Sequence, residues 1–176
     1  MAIPDNTMPI SLDGICMKDT VLITLGSGGH TKQILFLLDK LGNKYNYEYV
    51  INSDDKISSK KVKDGSKVFY LERPRKLGAN FFMNVYYTIK SFFHSYSVVR
   101  KSKAKAIISA GPGLAFPLFF WGKILGKKTI YIESWSRAET PSMSGKLCYH
   151  IADMFFVQWP DMKKHYPKAI YAGRLG

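Results

Sequence analysis

A chain of 176 residues is the size of one domain, and with 46% hydrophobic and 22% charged residues it can bury a core, which excludes a disordered tail. Its 26 Lys and Arg against 13 Asp and Glu leave a formal net charge of +13, which points to a polyanionic partner: nucleic acid, an anionic membrane or a phosphorylated substrate. Cys16 and Cys148 share no CxxC spacing, so a zinc ribbon and a disulfide scaffold are excluded and both thiols are expected to stay reduced.

Residues 1–19 read as a flexible leader with neither a signal-peptide core nor a spanning run. Val21 to Leu25 is a short apolar run ending in Gly26, as a buried parallel strand does. His30 to Leu41 follows as a helix with Gly42 as its stop, then Tyr47 to Ile51 and Lys67 to Leu71 as strands. Asn80 to Val99 is a long helical pattern, Ala106 to Ser109 a strand, and Gly111-Pro112-Gly113 opens a helix to about Leu125. Thr129 to Glu133 is a fifth strand, Ser142 to Ile151 a helix that holds Cys148, and Met154 to Val157 a sixth strand. Pro160 to Tyr166 reads as a short helix and Ile170 to Ala172 as a last extended piece. This alternation predicts an α/β fold: a single Rossmann-like domain over residues 20–176, with a parallel sheet and helices on both faces. Nothing is left over for a second domain.

The most apolar stretch, Ala106 to Trp121, is broken by Gly111, Pro112, Gly113 and Pro117. It falls short of the roughly 20 residues that a membrane span needs, so attachment is expected at the interface or through a partner. The charge concentrates between residues 51 and 110, with 13 basic against 4 acidic groups. There Arg73, Arg75 and Lys76 precede the long helix, whose apolar stripe begins at Phe81, Phe82, Val85 and Tyr86. A core helix with solvated basic flanks is one reading. A helix whose aromatic end, outermost at Phe81, Phe82 and Tyr86, dips into an anionic leaflet is the other.

Gly26-Ser27-Gly28-Gly29-His30-Thr31 lies between the first strand and the first helix, where backbone N–H groups and a helix N-terminus face an anion. The Walker pattern fails because no Ser or Thr follows Lys32, and GxGxxG is only partly present, with Thr31 in place of the last glycine. Asp54 stands where a ribose-binding acid sits in dinucleotide folds, although Asn52 to Asp55 reads equally well as a turn. His30 is the unusual residue, because a histidine in the first turn is held neutral by the helix dipole and can accept a proton. A solvent-facing or capping histidine is the plainer reading. Ligands of doubly wound sheets bind at the carboxyl ends of the strands. Ser109 to Gly113 and Glu133 to Arg137 fall on that same edge, the latter also readable as a surface ion pair.

GSGGHT at 26–31, SAGPG at 109–113, YIESWSR at 131–137, TPSMSGKLCYHIADMFFVQWP at 140–160 and AGRLG at 172–176 occur in this order. Over residues 20–176 the chain resembles the membrane-side subunits of two-part UDP-sugar glycosyltransferases, the ALG-fourteen family and its PssD-type exopolysaccharide relatives. The resemblance implies the N-terminal, acceptor-binding half of a GT-B glycosyltransferase, similar to that of MurG. A separate ALG-thirteen or PssE-like subunit would bind the donor. It further implies a polyprenyl- or dolichyl-diphosphate-linked sugar as acceptor, an anionic membrane surface at the cytoplasmic face, and no nucleic acid. Eukaryotic members carry an N-terminal anchor that Met1 to Asp19 does not match, which points to a prokaryotic-type member or a shortened chain.

Carried onto this sequence, the resemblance gives Gly26, Ser27, Gly28, Gly29, Gly111, Gly113 and Arg137 to the acceptor diphosphate and the shape of the cleft. His30 is the first candidate for the base that deprotonates the acceptor hydroxyl, and Glu133 competes for that role. Gln158, Trp159, Gly173 and Leu175 are expected to dock the partner. Neither metal nor cofactor is expected, the UDP-sugar being a substrate held mainly by the partner. The alternative is a non-catalytic recruiter that brings the catalytic subunit to the membrane.

Overall fold

Short β-branched and aromatic runs become seven strands: β1 (Thr20–Leu25), β2 (Asn46–Asn52), β3 (Val68–Leu71), β4 (Ala106–Ser109), β5 (Lys128–Ile132), β6 (Met154–Val157) and β7 (Ile170–Tyr171). Between them lie helices α1 (Gly29–Leu41), α2 (Lys56–Ser59), α3 (Phe81–Lys101), α4 (Ala115–Ile124) and α5 (Met143–Tyr149), and a 3₁₀ turn at Pro160–Lys164. The computed structural model describes residues 15, 16, 18–26, 28–62, 65–73, 78 and 80–175. Most of the expected leader, Ser27, Arg75 and Lys76 therefore lie outside the described residues.

All strands pair in parallel, in the order β3-β2-β1-β4-β5-β6-β7. The order runs outward in both directions from the β1–β4 pair, the switch point beside which ligands of such sheets bind at the carboxyl ends of the strands. Two boundaries differ from the sequence reading in ways that matter. Asn52 to Asp55 does not simply turn: the Asp55 carboxylate accepts the Ser58 N–H at 2.9 Å and caps the short α2. α4 starts at Ala115, because Gly111 adopts φ +93° and Pro112 closes a turn with Ala115 before the helix begins.

Strand periodicity sends alternate side chains to opposite faces. Leu22, Val50, Ile107 and Tyr131 pack beneath α3, α4 and α5 through Val98, Leu118, Phe119 and Cys148. Val21, Ile23, Ile51 and Ile108 pack on the other face against Ile34 and Leu37 of α1. Each such side chain, fully buried, contributes about 1.5–3 kcal/mol. Tyr131 stacks on Phe155 with ring centroids 4.9 Å apart.

α3 belongs to the core for only part of its length. Asn80 caps it by accepting the Met83 N–H, and Ser91, Ser95, Val98 and Val99 are buried. Its 21 residues span about 30 Å, longer than the roughly 23 Å of the longest strand. The N-terminal part stands clear, with Phe81 75% and Phe82 81% exposed and Val85, Tyr86, Ile89 and Phe93 exposed as well. Of the two readings of this helix, the core one holds for its last turns alone. Among the described residues no helix is long and apolar enough to cross a membrane.

Candidate active site

The glycine loop after β1 and the Gly111-Pro112 turn after β4 lie against each other. A Cβ on Gly26 would stand 2.8 Å from the Cβ of Pro112 and 3.2 Å from that of His30. The Thr31 hydroxyl donates to the Gly26 carbonyl. Ser58, which donates to Asp55 at 2.7 Å, stands 2.9 Å from the Thr31 oxygen. The loop is thus clamped by α1 on one side and α2 on the other. Gly28, at φ +69°, sets the backbone that starts α1 without a side-chain cap.

His30 occupies the second position of α1, and its ring lies directly over Gly111. A Cβ on Gly111 would fall 2.6 Å from His30 Cε1 and 2.7 Å from Nδ1, so only glycine leaves room for this ring. Nδ1 is buried without a hydrogen-bond partner among the described residues. Burial lowers the ring's pKa from the ordinary 6.5, partly offset by the Ala110 backbone and the Glu133 charge, with Arg137 adding to the lowering. His30 is therefore neutral at pH 7, and its unshared electron pair or N–H is available to a ligand.

The ring borders an open cleft of about 420 Å³ at the carboxyl edge of the sheet. Gly111 and Gly113 line it from the β4–α4 turn, Asn52 from the end of β2, Arg73 from beyond β3, and Met143 and Leu147 from α5. Arg73, which the sequence reading set at the membrane interface, thus lines this cleft. It pairs with Asp54 at 2.8 Å, which leaves that acid committed to the arginine and not to a ribose. Thr88 of α3 lines both this cleft and an adjacent apolar groove of about 470 Å³ formed with Phe81, Val85 and Ile89. Among the described residues no group of three His, Cys, Asp or Glu side chains is placed to hold a metal ion.

Glu133 corrects the sequence reading. Its side chain is 1% exposed, does not line the cleft, and is saturated. Oε1 accepts the Ser134 N–H at 2.9 Å, while Oε2 accepts the Ser142 N–H at 3.3 Å, the Ser142 hydroxyl at 3.1 Å and the Tyr166 hydroxyl at 3.0 Å. Its carbonyl takes the side-chain amides of Gln33 at 3.2 Å and Gln158 at 2.9 Å. Burial, with the Glu133 charge beside them, pushes the Tyr166 hydroxyl and the Cys148 thiol up. A Cβ on Gly145 would collide with this carboxylate and lie 2.6 Å from the Tyr166 hydroxyl, which explains the glycine in the PSMSGK segment. Glu133 thereby holds the start of α5, the wall of the cleft, in place.

Arg137 is exposed, with its N–H bonded to the Ser134 carbonyl at 2.9 Å, and no Arg137–Glu133 ion pair is present among the described residues. Gln158 is 2% exposed and so offers no surface for docking: besides Glu133 it binds the Leu175 N–H at 2.9 Å. Trp159 donates to the Trp135 carbonyl at 2.7 Å and lies under Arg174. Gly173 and Leu175 border a small apolar cavity of about 100 Å³ with Leu37, Ile130, Ile132 and Phe156. The sequence reading missed Asn52, Thr88, Met143 and Leu147, which come from three elements far apart in the chain, β2, α3 and α5. Only the rule that ligands gather at strand ends bore on Asn52.

Residues 21–175 match the family profile described as oligosaccharide biosynthesis protein Alg14 like. The chain belongs to the Alg14 family. Among its relatives is the human UDP-N-acetylglucosamine transferase subunit ALG14, 35% identical over 178 residues and covering 89% of this chain and 82% of that protein. The subunit of the same name from Candida albicans is 34% identical, covering 87% of this chain and 76% of that one. The chain is thus a member of a family of glycosyltransferase subunits.

Similar solved structures agree on the fold. Acinetobacter baumannii MurG superimposes with a TM-score of 0.64 at 16% identity, over 82% of this chain and 42% of its own. A UDP-N-acetylglucosamine 2-epimerase from Rickettsia bellii gives 0.64 at 11% identity, over 90% of this chain and 45% of its own. This Alg14-family chain covers less than half the length of either.

Proposed function

We propose that this chain is the acceptor-binding subunit of a two-part glycosyltransferase that moves a sugar from a UDP-sugar to a lipid-diphosphate-linked saccharide. UDP-N-acetylglucosamine, named in its relatives, is the donor to be tried first. A separate subunit supplies the donor site. The observation that carries this reading is His30: a half-buried, neutral ring whose buried Nδ1 has no partner among the described residues, facing a cleft that opens onto an apolar groove.

The chemistry follows from the residues. A neutral imidazole accepts the proton of the acceptor hydroxyl as its oxygen attacks the anomeric carbon, and UDP departs from the opposite face with inversion. The diphosphate of the acceptor lies against the backbone N–H groups of the glycine turns, with the Asp54-paired Arg73 on the cleft wall. The lipid chain leaves along the groove of α3, whose exposed Phe81, Phe82 and Tyr86 rest in the membrane interface. Glu133 acts by positioning α5. The partner docks where Gly173 and Leu175 border the apolar cavity near Leu37 and Phe156.

The test is transfer from radiolabelled UDP-sugars into a membrane lipid fraction, with this chain alone, with the donor-binding subunit alone, and with both. Product that requires both supports the reading. His30→Ala should then lower turnover by about 100-fold or more while the subunits still co-purify. Full turnover of that variant would reduce this chain to a recruiter.

A further inference from the structure

Two side-chain atoms among the described residues are buried without a hydrogen-bond partner, His30 Nδ1 and Asn52 Oδ1, and both residues line the same cleft. Asn52 ends β2 and is 6% exposed. Its position is fixed by main-chain bonds: it is in register with Leu71 of β3, and its carbonyl accepts the Asp55 N–H at 2.9 Å. The side-chain oxygen takes no part in this. A buried acceptor left bare is a standing cost to stability, and such costs are retained where a ligand supplies the missing donor.

We propose that Asn52 reads the acceptor sugar, its Oδ1 accepting a hydrogen bond from a sugar hydroxyl or amide N–H beside His30. This rests on the acceptor-subunit reading above. The chemistry chooses among the three parts of the acceptor. A diphosphate presents only acceptor oxygens, which a bare carbonyl oxygen repels and which call for N–H or cationic donors instead. The lipid brings no polar hydrogen. The sugar alone carries O–H and N–H donors, and it must lie within reach of the base at His30. One site then holds the sugar between two bare polar atoms, and an analogue lacking the matching donor leaves Asn52 unpaired and is rejected.

The test uses the full chain and its Asn52→Leu variant, close in volume and without the oxygen. A short isoprenyl diphosphate bearing N-acetylglucosamine, and the same diphosphate without sugar, are titrated into each by calorimetry. The expected result is a loss of about 10-fold or more for the sugar-bearing probe, none for the sugar-free one, and a melting temperature that does not fall. Equal loss on both probes places the amide on the diphosphate and overturns the proposal. So does equal binding by both proteins, or a melting temperature lowered by several degrees, which would make Asn52 a structural residue. If the wild-type chain binds neither probe, the acceptor-subunit reading falls and the proposal with it. Binding of both probes by the wild type leaves that reading intact, so the two failures are separable.

Discussion

At the scale of single residues, the site depends on two glycines that make room for functional side chains. Gly111 accommodates the His30 ring, and Gly145 accommodates the Glu133 carboxylate. Gly111→Ala is expected to displace the ring and strain a φ of +93°, lowering transfer at least 10-fold with a stability loss of about 1–3 kcal/mol in urea unfolding. Glu133→Ala removes the acceptor for Ser142 and Tyr166 and is expected to cost about 3 kcal/mol or more in the same measurement. Glu133→Gln, which keeps an oxygen in place, should cost clearly less. A variant Glu133→Ala with wild-type stability would refute the positioning role.

The pH dependence follows from His30. Its folded pKa lies below the ordinary 6.5, so the base form persists on acidification and the acid limb of the transfer rate should fall below pH 6.5. The same shift has a consequence for stability. As the pH drops below 6.5 the unfolded chain binds this proton before the folded one does, so stability decreases through that window and is fully present above it. Urea midpoints measured between pH 5 and 8 for the wild type and His30→Gln would show the wild type losing more on the acid side.

At the scale of elements, α3 changes role along its length. Val98 and Val99 seal the core, whereas Phe81 and Phe82 face solvent. Phe81→Ser with Phe82→Ser should leave the melting temperature within a few degrees, because neither ring is buried, while binding to anionic vesicles in a flotation assay falls several-fold. Unchanged flotation would remove α3 from the membrane contact.

The whole molecule combines a net charge of +13 with an exposed apolar helix end. Both attract an anionic bilayer, but only the charge is screened. Raising salt from about 0.05 to 0.5 M should weaken vesicle binding strongly without abolishing it, the remainder reporting the apolar term. Complete loss would assign the attachment to charge alone.

The sequence by itself determined the fold class, the order of the elements and the position of His30. Those follow from local properties: short apolar runs such as Val21 to Leu25 can only be buried strands, and a glycine turn before a helix exposes that helix's first residues to a ligand. Tertiary structure alone decided which polar residues are bare and which are satisfied. Asn52 ends a buried strand and Glu133 follows one, and the sequence pattern does not distinguish them. Glu133 is met by hydroxyls from Ser142 and Tyr166, 9 and 33 residues away, whereas no donor among the described residues reaches Asn52 Oδ1. The fate of a buried polar atom depends on donors that the fold brings from distant points of the chain, and a hydrogen bond is invisible until both partners are in place.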